Sequence, residues 1–323
     1  MKSSLNFKTQ SAGTNVRAGA TRTGKDWKSL IWKQRWLLLM ALPGFLIVLV
    51  FNYFPMYGVL IAFEDYSVKK GVLGSEWVGL KNFMDFFQNP MATRTIKNTV
   101  ILGVYNLLWS FPIPIVLALL FNELKGRRFK KTVQTISYFP YFLSTMIVAG
   151  MLMQFCSREG LFNQILGFLG KKPILFLQEP KWFRTIFIGS GVWTGAGYGT
   201  ILYLAAISNI DPNLYDVASI DGASRFQKIR HITMPALTPT ITIMLIMSIG
   251  GIMGSDFQKV ILLQTPQTYS ISDVIGSYTY REGILGARFE YTTAIGLFQS
   301  LVGFILIVAA NKVSQKVSDN SLW

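Results

Sequence analysis

The sequence predicts an all-α fold, a polytopic membrane bundle of six transmembrane helices, and three observations predict it. Only 15% of the 323 residues are charged while 51% are hydrophobic, whereas soluble globular chains run nearer a quarter charged. Apolar stretches of about 20 residues, the length that crosses a hydrocarbon core, recur along the whole chain. Lys and Arg outnumber Asp and Glu by 31 to 16, and they crowd into short polar connections, as bases do on the cytoplasmic side of a membrane. A single soluble domain is excluded. No nucleic-acid motif accompanies the net charge of +15, so anionic lipid is its expected partner and nucleic acid is not. One cysteine, Cys156, and one histidine, His231, provide neither an internal disulfide nor a zinc site, so no metal or cofactor is expected.

Residues 1–35 form a basic tail rich in Ser, Thr, Gly and Ala, with Asp26 as its single acid, and it is too polar to build a core. Within it, Gly19 to Lys25 reads G-A-T-R-T-G-K, most of a phosphate-cradling loop. Asp26 stands where a hydroxyl should hold magnesium, and no apolar strand precedes Gly19, so no nucleotide site is expected. Residues 36–323 carry six predicted spans: Trp36 to Tyr57, Asn98 to Phe121, Thr132 to Phe155, Thr185 to Ile207, Thr240 to Leu263 and Tyr291 to Ala310. The first is longer than the apolar core of a cleaved signal peptide and is read as a true span.

Orientation follows from the connections. Five bases lie between Glu123 and Lys131, whereas the longer connection from Glu64 to Lys97 balances its bases with acids. That contrast places the N-terminus, and with six spans also the C-terminus, in the cytoplasm. Pro43, Pro55, Pro112, Pro114 and Pro140 each remove a helix hydrogen bond that lipid cannot replace, so the bundle has an interior. Gly191, Gly195 and Gly199, with Gly189 and Gly197, make a small-residue stripe on which another helix can pack.

The connection over about residues 209–239 is more organised than a link requires. Asp211 is a good N-cap with Pro212 at the first helical position, and Gly222 permits the turn that ends the helix. Ser224 with Gln227 makes a capping box for a second short helix, which Pro235 is expected to close.

Tyr215 to Pro235 resembles the cytoplasmic signature of binding-protein-dependent ABC importer permeases, which runs E-A-A, D-G-A, then an aromatic, an aliphatic and a proline. Asp216, Val217 and Ala218 stand where the family has Glu, Ala, Ala. Asp221, Gly222 and Ala223 match D-G-A, and Phe226, Ile232 and Pro235 match the remainder. Phe51 to Phe63, Trp77 to Phe83 and Asp273 to Gly283 are similar to the carbohydrate branch, particularly permeases for alginate or rhamnogalacturonan fragments. The resemblance implies a type I, MetI-like permease in a bacterial cell (inner) membrane. It also implies a homologous second permease, two copies of a cytoplasmic ABC ATPase and an extracytoplasmic solute-binding protein.

On that resemblance, Tyr215, Asp216, Val217, Ala218, Asp221, Gly222, Ala223, Phe226 and Pro235 form the surface that couples to the ATPase. Asp216 and Asp221 either pair with basic groups there or stabilise the helix and its turn. A saccharide path mixes aromatic rings with hydrogen-bonding groups, for which Asn106, Trp109, Trp193, Tyr198 and Tyr203 are candidates, packing being the alternative role for each. Asp256, with Lys259, either faces the interior or marks a helix end. Glu64 to Lys97, Ser157 to Arg184 and Gln264 to Glu290 are long enough to receive a binding protein or to act as lids. Tyr278, Tyr280 and Arg281 are the expected contact. The chain is not expected to be an enzyme, because no catalytic constellation occurs at membrane depth. An ion-coupled carrier acting alone is the rival reading, and it would require more ionisable residues along the spans.

Overall fold

The computed structural model describes residues 32–317 and Leu322. The basic tail up to residue 31, including Gly19 to Lys25 and Asp26, lies outside the described residues. The chain divides into two units, residues 1–57 and 58–323.

In the first unit, α1 (Arg35–Val48) runs through Pro43 and passes into a wide π turn, Leu49–Tyr53, just before Pro55. Proline cannot donate and its ring collides with the carbonyl four residues back, so a locally widened turn is where a helix absorbs it. Trp36, Leu37, Met40, Phe45 and Phe51 are exposed, as expected of side chains that hydrocarbon covers.

The second unit is helical apart from a two-residue antiparallel pairing of β1 (Glu64–Asp65) with β2 (Glu76–Trp77). It continues through α2 (Lys81–Gln88), α3 (Pro90–Ser110), α4 (Pro112–Glu123), α5 (Arg127–Tyr138), α6 (Thr145–Phe155), α7 (Leu161–Phe168) and α8 (Pro180–Ser208). Next come α9 (Pro212–Ile220), α10 (Arg225–Lys228), α11 (Met234–Gly250), α12 (Phe257–Leu263), α13 (Tyr269–Ser272), α14 (Ile275–Thr279) and α15 (Phe289–Val317).

Among the described residues, four helices are long and apolar enough to cross a membrane: Arg35–Phe63, Pro90–Glu123, Arg225–Met253 and Phe289–Lys316. A bent pair, Arg127–Phe142 with Thr145–Phe155, makes five if it counts as one span. The expected fourth span lies inside α8, which is 29 residues long. Its glycines, threonines and tyrosines keep it out of that apolar set, so length and composition do not establish a count of six.

Two predicted spans are not continuous helices. The third bends by 96°: Pro140 removes a donor in a short 3-10 turn, and Ser144 then starts α6 by accepting a hydrogen bond from the Ile147 amide. The fifth stops near Gly254, and Asp256 begins the separate helix α12. Conversely, Pro235 does not close a short helix. The chain runs from α10 through a π turn at Ile229–Thr233 straight into α11, and the widened turn accommodates the proline ring.

Three buried clusters hold these pieces together. Leu102, Phe183, Phe187, Val260, Leu263 and Val274 join α3, α8 and α12. Phe86, Met253, Ile275, Tyr278, Tyr291 and Ile295 form a second cluster. Ala118, Tyr203, Ile207 and Leu237 tie α4, α8 and α11 together. Close approach concentrates at particular glycines rather than along the whole predicted stripe. A Cβ on Gly197 would collide with the Ser137 carbonyl, and one on Gly103 with the Ile252 carbonyl, whereas Gly189 and Gly195 face open space.

Candidate functional site

The handle formed by α9 and α10 is assembled by local chemistry. Asp211 Oδ1 accepts from the Asn213 amide at 3.0 Å, satisfying a donor that the helix start leaves free. At the other end, the Gly222 amide donates to the Ser219 carbonyl at 3.2 Å and the Ala223 amide to the Ala218 carbonyl at 2.9 Å. This is the Schellman pattern, and it requires the left-handed backbone that Gly222 adopts at φ 74°. A Cβ there would meet nothing within 4 Å, so inside this chain the glycine is needed for its conformation alone. The capping box of α10 forms in both directions: the Ser224 amide donates to Gln227 Oε1 at 2.7 Å and the Gln227 amide to Ser224 Oγ at 3.3 Å.

One side-chain bond fastens the handle to the fifth span and a second holds its two helices together. The hydroxyls of Tyr215 and Thr233 lie 2.9 Å apart, tying α9 to the π turn at the root of α11. Lys228 Nζ donates to Ser219 Oγ at 2.5 Å, holding α10 against α9. The opposite face is left uncovered: Leu214, Val217, Ile220 and Phe226 are 52%, 58%, 86% and 69% exposed. Asp216 and Asp221 enter no ion pair among the described residues, and Pro235 is exposed at the start of α11.

A cavity of about 530 Å³ opens between α3, α4, α8 and the broken end of the fifth span. It brings together Asn106, Tyr203 and Asp256 of the predicted path and adds Ser110, Thr194, Ser248, Ser255 and Lys259. Tyr203 is 5% exposed. Ser110 Oγ donates to Asn106 Oδ1 at 2.7 Å. Asp256 Oδ1 accepts from the Lys259 amide at 3.1 Å and so caps α12. The remaining path candidates lie elsewhere. Trp109 lines a separate cavity with Tyr105 and Arg184, Trp193 an apolar one with Met151 and Phe162, and Tyr198 stacks on Tyr141 at 3.8 Å between ring centres. The serines escaped sequence reading because they come from three separate stretches that tertiary packing brings to one space, Ser255 lying in the break after α11.

The end of α8 remote from the handle is closed by α13 and α14 around Asp273, which is fully buried. Asp273 Oδ2 receives Arg281 Nη2 at 2.9 Å and Arg94 Nη2 at 3.3 Å, and its Oδ1 receives the Ser277 hydroxyl at 2.9 Å. Arg281 is therefore engaged within the chain. Tyr278 is buried as well, its hydroxyl 3.0 Å from that of Tyr291; burial, and then this hydrogen bond, push its phenol up. Of the three residues expected on the surface here, Tyr280 is the exposed one, at 37%. Cys156 is buried, and burial pushes its thiol up to about 11, as suits an inert side chain. No group of three or more potential metal ligands occurs among the described residues.

Residues 90–319 match the family model of the binding-protein-dependent transport system inner membrane component. Protein LplB of Bacillus subtilis (strain 168) is 40% identical over 301 residues, 93% of this chain and 95% of that protein. The polygalacturonan/rhamnogalacturonan transport system permease protein YteP of the same organism is 41% identical over 292 residues, 90% of this chain and 91% of its own. Among solved structures, a chain of a bacterial alginate ABC transporter, crystallised in complex with an alginate pentasaccharide-bound periplasmic protein, superposes with a TM-score of 0.83. It is 40% identical, covering 92% of this chain and 99% of that one.

Proposed function

Because the chain belongs to the binding-protein-dependent transport system inner membrane component family, we propose that it is the permease subunit of an ATP-driven importer of oligosaccharides or polysaccharide fragments. It provides half of the translocation path and takes its energy from a separate cytoplasmic ABC ATPase. The observation that carries this reading is the handle, a rigidly capped pair of short helices whose apolar side faces outward while its polar side is bonded to the fifth span. A monomer gains nothing from exposing Leu214, Val217, Ile220 and Phe226 together, so the patch is an interaction surface.

The mechanism follows from how the handle is fastened. Closure of a nucleotide-bound ATPase dimer displaces α9, the Lys228–Ser219 bond keeps α10 moving with it, the Tyr215–Thr233 bond carries the displacement into the π turn, and α11 follows. Met244, Ser248 and Gly251 on α11 and its continuation line the cavity, so motion at the handle changes the space in which a substrate sits. In this arrangement the handle and both termini face the cytoplasm. A homologous permease supplies the other half of the path, two ATPase copies serve the pair, and an extracytoplasmic binding protein delivers the saccharide. Of the residues expected to meet that protein, Tyr280 is the exposed one. An ion-coupled carrier has no use for such a handle.

Gly222 provides the test. Gly222→Arg abolishes substrate-stimulated ATP hydrolysis in the assembled complex while membrane insertion is retained. Gly222→Asn, which tolerates the left-handed conformation, keeps the turn and adds a side chain at the interface, so it separates the fold of the handle from its fit. Undiminished stimulation with Gly222→Arg contradicts ATPase docking at this site.

A further inference from the structure

Lys259 is 7% exposed, yet its ammonium has no carboxylate within ion-pairing distance among the described residues. An ammonium offers three donors and no acceptor. One donor goes to the Phe187 carbonyl at 3.0 Å, and the Phe187 ring centre lies 4.2 Å from Nζ. The other two have no partner among the described residues. Withdrawing a cation from water costs several kcal/mol unless a counter-charge and hydrogen bonds compensate, and among the described residues it has one carbonyl, a ring face and the longer-range attraction of Asp256. Asp256 shares the cavity and its Oδ1 accepts from the Lys259 backbone amide, but the two side chains do not meet as an ion pair, which leaves the ammonium able to take a ligand carboxylate.

The surroundings hold further unspent capacity. Ser255 Oγ is buried without a partner, and the Asn106 amide nitrogen donates to nothing among the described residues, where only its oxygen is used. Gly191 keeps the approach open: a Cβ there would stand 3.3 Å from Lys259 Nζ and 4.0 Å from Asn106 Oδ1. A cation, a hydroxyl and an amide with spare hydrogen-bonding capacity thus line one cavity.

We propose that Lys259 is the specificity-determining cation of this cavity and that the saccharide it admits is acidic, with a uronate-type carboxylate held by the Lys259 ammonium and assisted by Ser255 and Asn106. This rests on the saccharide-permease reading above and names the substrate class of the same site. The rival role for Lys259 is a tie between α8 and α12 through the Phe187 carbonyl. That tie is a single hydrogen bond to which charge on a ligand is indifferent.

The test uses the complete complex with its partner permease and ATPase in nanodiscs, and compares binding of trigalacturonate with that of its neutral methyl ester at low ionic strength. Wild type prefers the acid by about 10-fold or more, the scale of one buried charge pair. Lys259→Gln brings the preference close to unity and Lys259→Arg retains it. Gly191→Ala, which leaves the lysine in place and crowds its approach, lowers it several-fold. Equal binding of acid and ester by wild type overturns the proposal, as does a preference that survives Lys259→Gln. Should Lys259→Gln fail to assemble, an unchanged preference in Gly191→Ala overturns it. A complex that hydrolyses ATP yet favours the ester defeats the acidic assignment alone, whereas a chain with which no ATPase associates defeats the permease reading beneath it.

Discussion

At the handle, Leu214, Val217, Ile220 and Phe226 face outward and Asp216 makes no ion pair among the described residues, whereas at the opposite end of α8 the segment with Asp273, Val274, Ile275 and Tyr278 is buried almost completely. Both segments are short helices joining longer ones, and both carry acids and aromatics. The remote segment spends its side chains on the chain itself: Asp273 binds two arginines, and Tyr278 meets Tyr291. The handle spends its polar groups on its own backbone and on Thr233, and leaves its apolar groups for something else. Segments of similar length and composition therefore divide into one that completes the fold and one that awaits a partner.

Asp273 gives the largest contrast. Asp273→Asn leaves the Arg94 and Arg281 guanidiniums facing a neutral group. The cost is about 2 to 4 kcal/mol, below that of a fully buried pair because both arginines keep roughly a third of their side chains exposed. A clear fall in the thermal unfolding midpoint in detergent checks it, and Asp216→Asn on the handle leaves that midpoint unchanged. Next comes Ile220→Asp, which removes no internal contact and so keeps stability while weakening ATPase association by roughly 10-fold or more, the scale of a central apolar anchor. Pull-down with the ATPase reads this, and a stability loss without an association loss would erase the distinction between the two regions. The smallest effect is that of Tyr215→Phe, which deletes one hydrogen bond worth about 1 kcal/mol. It leaves ATPase association intact and lowers the number of substrates moved per ATP, measured in proteoliposomes.

The same contrast explains what could be read in advance. The handle was legible because Asp211 with Pro212, Ser224 with Gln227, and Gly222 act over three or four residues, and sequence displays such signals directly. The Asp273 cluster was not, because Arg94 and Asn98 lie more than 170 residues away in the chain. Hydropathy misled at the fifth span. The run through Gly250, Gly251 and Gly254 looks like continuous apolar helix but contains a break, and Ser255 within it lines the cavity. In α8 the predicted fourth span falls outside the helices that qualify by length and composition, while Tyr203 is buried and Gly197 packs against Ser137. Trp193 and Tyr198 were path candidates by residue type, and they line surfaces other than the cavity shared by Asn106, Tyr203 and Asp256. Lys259 was visible as a charge, but its carbonyl partner, Phe187, is set by tertiary packing.

Photo-crosslinking from a probe replacing Ile220 in the assembled, ATP-hydrolysing complex tests the central claim most directly. The expected product joins this chain to the ATPase in high yield, and its yield differs between ATP-bound and ADP-bound states because the handle moves with the motor. A fully active complex in which position 220 captures only solvent or lipid contradicts the account.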